Sequence, residues 1–118
     1  MERGRKMTEN SYKTRCGCIH YFVNLIDKQK ITLVFLPGLT ADHRLFEKQT
    51  EYLEKKQNVF VWDAPSHALS RPFTNNYSLS DMAEWLDEIL AKEEIYNPII
   101  IGQSMGCLLY TSDAADEP

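Results

Sequence analysis

Apolar positions in this chain fall into short, nearly continuous runs separated by longer stretches of helical spacing. Ile31-Thr-Leu-Val-Phe-Leu36, Val59-Phe-Val-Trp62 and Ile99-Ile-Ile101 are the runs, and each stops at a turn rich in glycine, proline or polar residues. This is the pattern of strands buried on both faces of a parallel sheet. Two helical patterns lie between them. The first has Asp42 in place as N-cap, carries Leu45, Phe46, Tyr52 and Leu53 on one face, and is closed by Lys55, Lys56 and Asn58. The second starts at Ser78, with Asp81 at the fourth position of a capping box and Met82, Trp85, Leu86, Ile89 and Leu90 at helical spacing. Opposite that apolar stripe lie Glu84, Asp87, Glu88 and Lys92, an ordinary solvated face.

Ahead of the first buried run, residues 11–15 and 18–25 contain Tyr12, Ile19, Tyr21, Phe22, Val23 and Leu25, with Cys16-Gly17 between them. They read as an antiparallel hairpin. The order hairpin, strand, helix, strand, helix, strand defines an α/β fold: a mostly parallel sheet with an N-terminal antiparallel hairpin and helices on both faces.

The last apolar run ends abruptly at Gly102-Gln-Ser-Met-Gly106. If a helix begins after Ser104, the strand-to-helix turn is very tight, and Gly102 and Gly106 supply the missing side-chain bulk that lets strand and helix approach. Such a turn is a nucleophile elbow: it exposes the Ser104 hydroxyl at the carboxyl end of the sheet and leaves the Met105 amide, at a helix N-terminus, free to receive an oxyanion. Pro37-Gly38-Leu39-Thr40 closes another strand in the same sense. The backbone amides of Leu39 and Met105 are therefore the expected oxyanion hole, with Gly38, Thr40 and Gln103 beside them as candidate substrate-binding residues.

Composition narrows the chemistry. Charged residues are 25% of the 118, the net charge is -4, and no block of like sign occurs, which argues against a nucleic-acid partner. No apolar run reaches the length of a membrane span and no signal peptide opens the chain, so a cytoplasmic location is the expectation. Cys16, Cys18 and Cys107 are odd in number and lack the second half of a zinc site, and are read as free thiols. His20, His43 and His67 have no metal-ligand spacing, and none is a good base for Ser104; a surface or packing role is expected for each. Neither a metal nor a cofactor is expected.

Both ends invite a second reading. Residues 2–6 can be written with purine-only codons ahead of Met7, as a translated ribosome-binding site would be, and residues 1–6 are read as a possible non-native leader. Residues 107–117 can be back-translated in one frame into a sequencing-library adapter, and residues 107–118 are read as an artefactual tail. The elbow lies twelve residues from the C-terminus, where an α/β enzyme still has sheet to build, so the chain is expected to be truncated, with residues 7–106 its genuine part.

With these motifs placed, residues 7–106 resemble the amino-terminal half of an α/β-hydrolase-superfamily protein. Leu36-Pro-Gly-Leu39 resembles the family's oxyanion-loop segment, with Pro37 in place of the common histidine. Asp63-Ala-Pro-Ser-His-Ala-Leu-Ser70 resembles the usual Asp-x-Pro-Gly-x-Gly-x-Ser loop, with Ser66 and Ala68 in place of its two glycines, and Gly-Gln-Ser-Met-Gly resembles the elbow. The resemblance implies a hydrolase that attacks an ester, thioester or lactone through a Ser104 acyl-enzyme, with a small-molecule acyl substrate. Its triad acid and histidine would follow Gly106, and the fragment alone would be inactive. Two alternatives stay open: a lyase or acyltransferase resembling the menaquinone-pathway synthase, and a catalytically silent hydrolase-fold binding protein. A nucleotide-binding protein is disfavoured, because no glycine-rich phosphate loop follows any of the strands. The substrate is not legible from the sequence.

Overall fold

The computed structural model describes residues 7–27, 29–37, 43–53, 55–66, 69–74 and 76–102. Five strands, β1 (Thr8–Lys13), β2 (Cys18–Asn24), β3 (Thr32–Leu36), β4 (Asn58–Trp62) and β5 (Pro98–Gly102), form one sheet in the order β1-β2-β4-β3-β5. β1 and β2 are an antiparallel hairpin, and β2 joins β4 antiparallel. β3 pairs in parallel with β4 on one side and β5 on the other, so the three apolar runs are adjacent and point the same way.

Side-chain alternation along these strands sorts the core into two layers. Val34, Leu36, Phe60, Trp62, Ile19, Tyr21 and Val23 point to one face and pack with Met82, Trp85, Leu86, Ile89 and Leu90 of helix α2 (Leu79–Lys92). Leu33, Phe35, Val59, Val61 and Phe22 point to the other and meet Phe46 and Leu53. Phe46 ends a 3-10 turn (His43–Phe46) and Leu53 ends helix α1 (Glu47–Leu53), so the sheet carries a helix on each face. The capping box of α2 forms as expected: Ser78 Oγ accepts from the Asp81 amide at 3.2 Å, and Asp81 Oδ2 accepts from the Ser78 amide at 2.9 Å.

Four details differ from the sequence reading. β1 starts at Thr8, because its polar residues hold register against β2 (Thr8 opposite Val23) without contributing an apolar stripe of their own. Around α1 the buried side is Phe46, Thr50 and Leu53, while Leu45 and Tyr52 are exposed. The cause is the 3-10 winding of residues 43–46, which turns each residue further than an α-helix does and rotates the face. Asp42, the expected N-cap, lies outside the described residues.

Asn58 does not close that helix but opens β4, 1% exposed, and its side chain secures the turn between β2 and β3. Asn58 Oδ1 accepts from the amides of Ile26 (2.8 Å) and Asp27 (3.1 Å), and Nδ2 donates to the carbonyls of Asp27 (2.7 Å) and Lys30 (3.1 Å). Finally, β5 is not enclosed: among the described residues it is an edge strand, with Ile99 exposed and Ile100 and Ile101 half-buried.

Candidate functional site

Three parallel strands end together at one edge of the sheet, and their last residues meet in register. Phe35 lies opposite Val61 of β4 and Ile101 of β5, and Leu36 lies opposite Gly102. Pro37, buried next to Leu36, is the last described residue before the segment containing Gly38, Leu39 and Thr40; Gly102 is the last before Gln103, Ser104 and Met105. Those six expected site residues lie outside the described residues. What the fold does fix is the two strand ends that feed them, side by side at the carboxyl edge where open α/β sheets bind their ligands.

On the other side of β3, the residues following β4 are described in detail. Asp63, the first after Trp62, is fully buried. A carboxylate in that position must be compensated by donors. Its Oδ1 accepts from the His43 backbone amide at 2.7 Å and from His43 Nδ1 at 2.8 Å, and its Oδ2 accepts from the Leu69 amide at 3.3 Å. The Nδ1 contact requires a proton on that nitrogen, since a carboxylate only accepts. The His43 ring also lies against Phe22, with centroids 4.3 Å apart. The backbone of Asp63 is held as well: its amide donates to the His20 carbonyl at 2.9 Å, and its carbonyl accepts from Ser70 Oγ at 2.6 Å. Ser70 Oγ in turn accepts from the His20 amide at 2.8 Å, tying the far end of the loop to β2.

Ser66, standing where the resembling motif has its first glycine, has φ 74°, in the left-handed region. The glycine-like backbone path is therefore kept with a serine in it, and two hydrogen bonds support the strain. Tyr77 Oη donates to the Pro65 carbonyl at 3.2 Å, which leaves it to accept from Ser66 Oγ at 2.8 Å. His67 and Ala68 lie outside the described residues.

Both described histidines have a carboxylate neighbour. His43 is bound to Asp63, and His20 Nδ1 lies 3.4 Å from Glu9 Oε2, an ion-pair distance without hydrogen-bond geometry. Cys16 and Cys18 are free thiols. Among the described residues no three His, Cys, Asp or Glu side chains converge as a metal site, and no helix is long and apolar enough to cross a membrane.

A sheet that runs antiparallel through a hairpin and then parallel through β4-β3-β5, with the carboxyl ends of those three strands at one edge, is an architecture of α/β enzymes. The family model for the alpha/beta hydrolase fold matches residues 31–118, three quarters of the sequence, and the chain belongs to that family. Solved structures agree on the fold. An alpha/beta hydrolase from Novosphingobium aromaticivorans is 24% identical, with a TM-score of 0.82, and the match covers 96% of this chain and 41% of that one. A membrane phospholipase A, a bacterial virulence factor, is 23% identical at a TM-score of 0.79, over 96% of this chain and 36% of its own. A 1H-3-hydroxy-4-oxoquinoline 2,4-dioxygenase is 20% identical at a TM-score of 0.78, over 92% of this chain and 41% of its own. This chain thus spans well under half the length of each. No curated protein sequence matches it significantly.

Proposed function

We propose that a full-length protein carrying this chain is a serine hydrolase that cleaves a small ester, thioester or lactone in the cytoplasm, without a cofactor. The observation that carries the reading is the in-register pairing of Leu36 with Gly102. It sets the strand end that leads to Leu39 beside the strand end that leads to Ser104, as a nucleophile and its oxyanion donors require.

In this reading the Ser104 hydroxyl attacks the substrate carbonyl while a histidine base, contributed beyond Gly106, takes its proton. The amides of Leu39 and Met105 receive the negative charge of the tetrahedral intermediate. The histidine then protonates the leaving group, and water, deprotonated by the same histidine, releases the acid from the Ser104 ester.

Labelling by an organophosphonate probe tests this, because a serine hydroxyl reacts only when base and oxyanion donors are both in place. Wild-type full-length protein should label, and Ser104→Ala should abolish labelling and lower turnover to the residual roughly 10³ to 10⁴-fold acceleration over water left when a triad member is removed. Ser66→Ala and Ser70→Ala should keep the label. Persistence of the label in Ser104→Ala, or a folded wild-type protein that never labels, would overturn the reading. Product analysis that found elimination or transfer products in place of the free acid would replace hydrolysis with lyase or acyltransferase chemistry.

A further inference from the structure

We propose that the outer edge of β1 is a self-complementary surface, on which a second copy of this protein adds its own β1, antiparallel and centred on Ser11, to form a weak dimer. Among the described residues β1 is the outermost strand on the hairpin side of the sheet. Its pairing with β2 decides which residues own the free edge. The register runs without a bulge from Thr8 opposite Val23 to Lys13 opposite Cys18, and one step further on the Thr14 amide donates to the Gly17 carbonyl at 2.8 Å. Hydrogen-bonded pairs alternate along an antiparallel ladder, so Tyr12, Asn10 and Thr8 are bonded to β2, while Lys13, Ser11 and Glu9 turn their amides and carbonyls outward. His20, opposite Ser11, agrees with this phase. Its amide donates to Ser70 Oγ at 2.8 Å and its carbonyl accepts from the Asp63 amide at 2.9 Å, both on the β4 side.

Proline and bulges, two of the means by which sheet edges are kept from pairing, are absent from β1. Charge is a third, and here it favours pairing. Glu9 and Lys13 stand two residues to either side of Ser11, on the same face of the strand, and all three are exposed. Rotating a second β1 by half a turn about Ser11 sets Ser11 against Ser11 and Glu9 against Lys13 at both ends. Each outward amide and carbonyl then finds a mate, and each charge an opposite one. Parallel addition in register would instead oppose Glu9 to Glu9 and Lys13 to Lys13. Glu9 lies beside His20 Nδ1 through Oε2, at 3.4 Å, which leaves Oε1 for the lysine; among the described residues Lys13 has no ion pair. On the opposite face the half-buried Asn10 and Tyr12 are tied to Glu93 and Glu88. They hold β1 on the sheet and leave the odd-numbered positions to pair.

Sedimentation velocity of the full-length protein over a concentration series reads the dimer. Wild type should pass reversibly from monomer to dimer, and weakly, as an interface one short strand wide implies. Glu9→Lys or Lys13→Glu alone opposes like charges at both ends and should raise Kd about tenfold. The two substitutions in one chain restore opposite charges and should return Kd to within about threefold of the wild type. Ser11→Pro removes an outward amide that β2 does not use, a position where an edge strand tolerates proline, and should abolish the dimer while circular dichroism shows the fold kept. If Ser11→Pro unfolds, the charge exchanges decide alone. A wild type that stays monomeric throughout, a dimer whose Kd ignores the single substitutions, or a double variant no tighter than the single ones would overturn the proposal.

Discussion

Ser66 Oγ donates to Tyr77 Oη across 2.8 Å, and by doing so a non-glycine residue is held at φ 74° in the loop after β4. A left-handed conformation costs an ordinary L-residue about 1–2 kcal/mol, and a net hydrogen bond returns about 1 kcal/mol. Ser66→Gly removes both and should therefore change stability by less than about 1 kcal/mol. Tyr77→Phe should cost about 1–2 kcal/mol in the wild type but less in the Ser66→Gly background, where one of its two bonds is already gone. A double-mutant cycle by urea denaturation measures that coupling; simple additivity would mean the pair does not support the loop.

Asn58→Ala should be among the most damaging single changes on this side of the sheet. It leaves two amides and two carbonyls of the β2–β3 turn without the partners they have now. Some will find water, so the expected loss is about 2–4 kcal/mol and not the sum of four buried penalties. The denaturation midpoint should fall with little change in slope.

Gly17→Ala should detach the hairpin tip from the loop that follows residue 70. Gly17 has φ 154° and forms a β-bridge with Phe73, and a Cβ added there would lie 2.6 Å from Phe73 Cδ2 and 2.8 Å from the Pro72 carbonyl. With a backbone contact on one side and a ring on the other, relief requires the two segments to separate. A drop in melting temperature with faster amide exchange at Gly17 and Thr74, whose amide donates to the Cys16 carbonyl, is the expected result.

Stability should decline on the alkaline side through Tyr21. Burial first, and then the hydrogen bond from its hydroxyl to Glu93 Oε2 at 2.6 Å, push its ionisation well above the ordinary value of 10.0. Below pH 10 both folded and unfolded chains carry the neutral phenol and the contribution is complete. Above it the unfolded chain ionises while the folded one resists, so stability falls as pH climbs from about 10 toward the folded value. Tyr12, raised by its hydrogen bond to Glu88, acts in the same direction. Tyr21→Phe should flatten the decline in melting temperature between about pH 10 and 11, at the expense of the Glu93 bond at neutral pH.

The 118-residue chain by itself should not hydrolyse an aryl ester. Its described histidines are committed elsewhere, His43 to Asp63 and His20 beside Glu9. Turnover by the purified chain that Ser104→Ala abolishes would contradict this.

The parts legible in the sequence were those where one physical signal dominates. Continuous apolar runs announced β3, β4 and β5 as neighbours; for β3 and β4 the cause is that a strand covered on both sides has no polar face to interrupt it, whereas β5 keeps the pattern although Ile99 is exposed. The Ser78–Asp81 box and the spacing from Met82 to Leu90 located α2 because capping and burial agree there. Where signals were weak or shared, the reading slipped. β1 is polar and takes its place from pairing with β2, a non-local cause. Leu45 and Tyr52 look like core on an α-helical wheel, but the 3-10 turn before Glu47 changes the wheel. Asn58 resembles a helix terminator locally, and its four partners on residues 26, 27 and 30 cannot be seen from its neighbours. His43 has the same difficulty: nothing adjacent to it announces Asp63, although an aspartate directly after an apolar strand is a sign that some donor must come to meet it. At the site, the strand ends leading to Leu39 and Ser104 were legible from the turns that follow them, and the residues themselves lie outside the described part.

The position of β3 between β4 and β5 also orders events in time. Thr32 meets Asn58 on one side and Pro98, much further along the chain, on the other. On a ribosome, β3 and β4 can zip together while β5 is still unmade, and the partner of Leu36 on the far side, Gly102, emerges only after α2. The strand ends that lead to the two turns thus become neighbours only once α2 and β5 have been made, so a nascent chain holds β3 with one edge open until then.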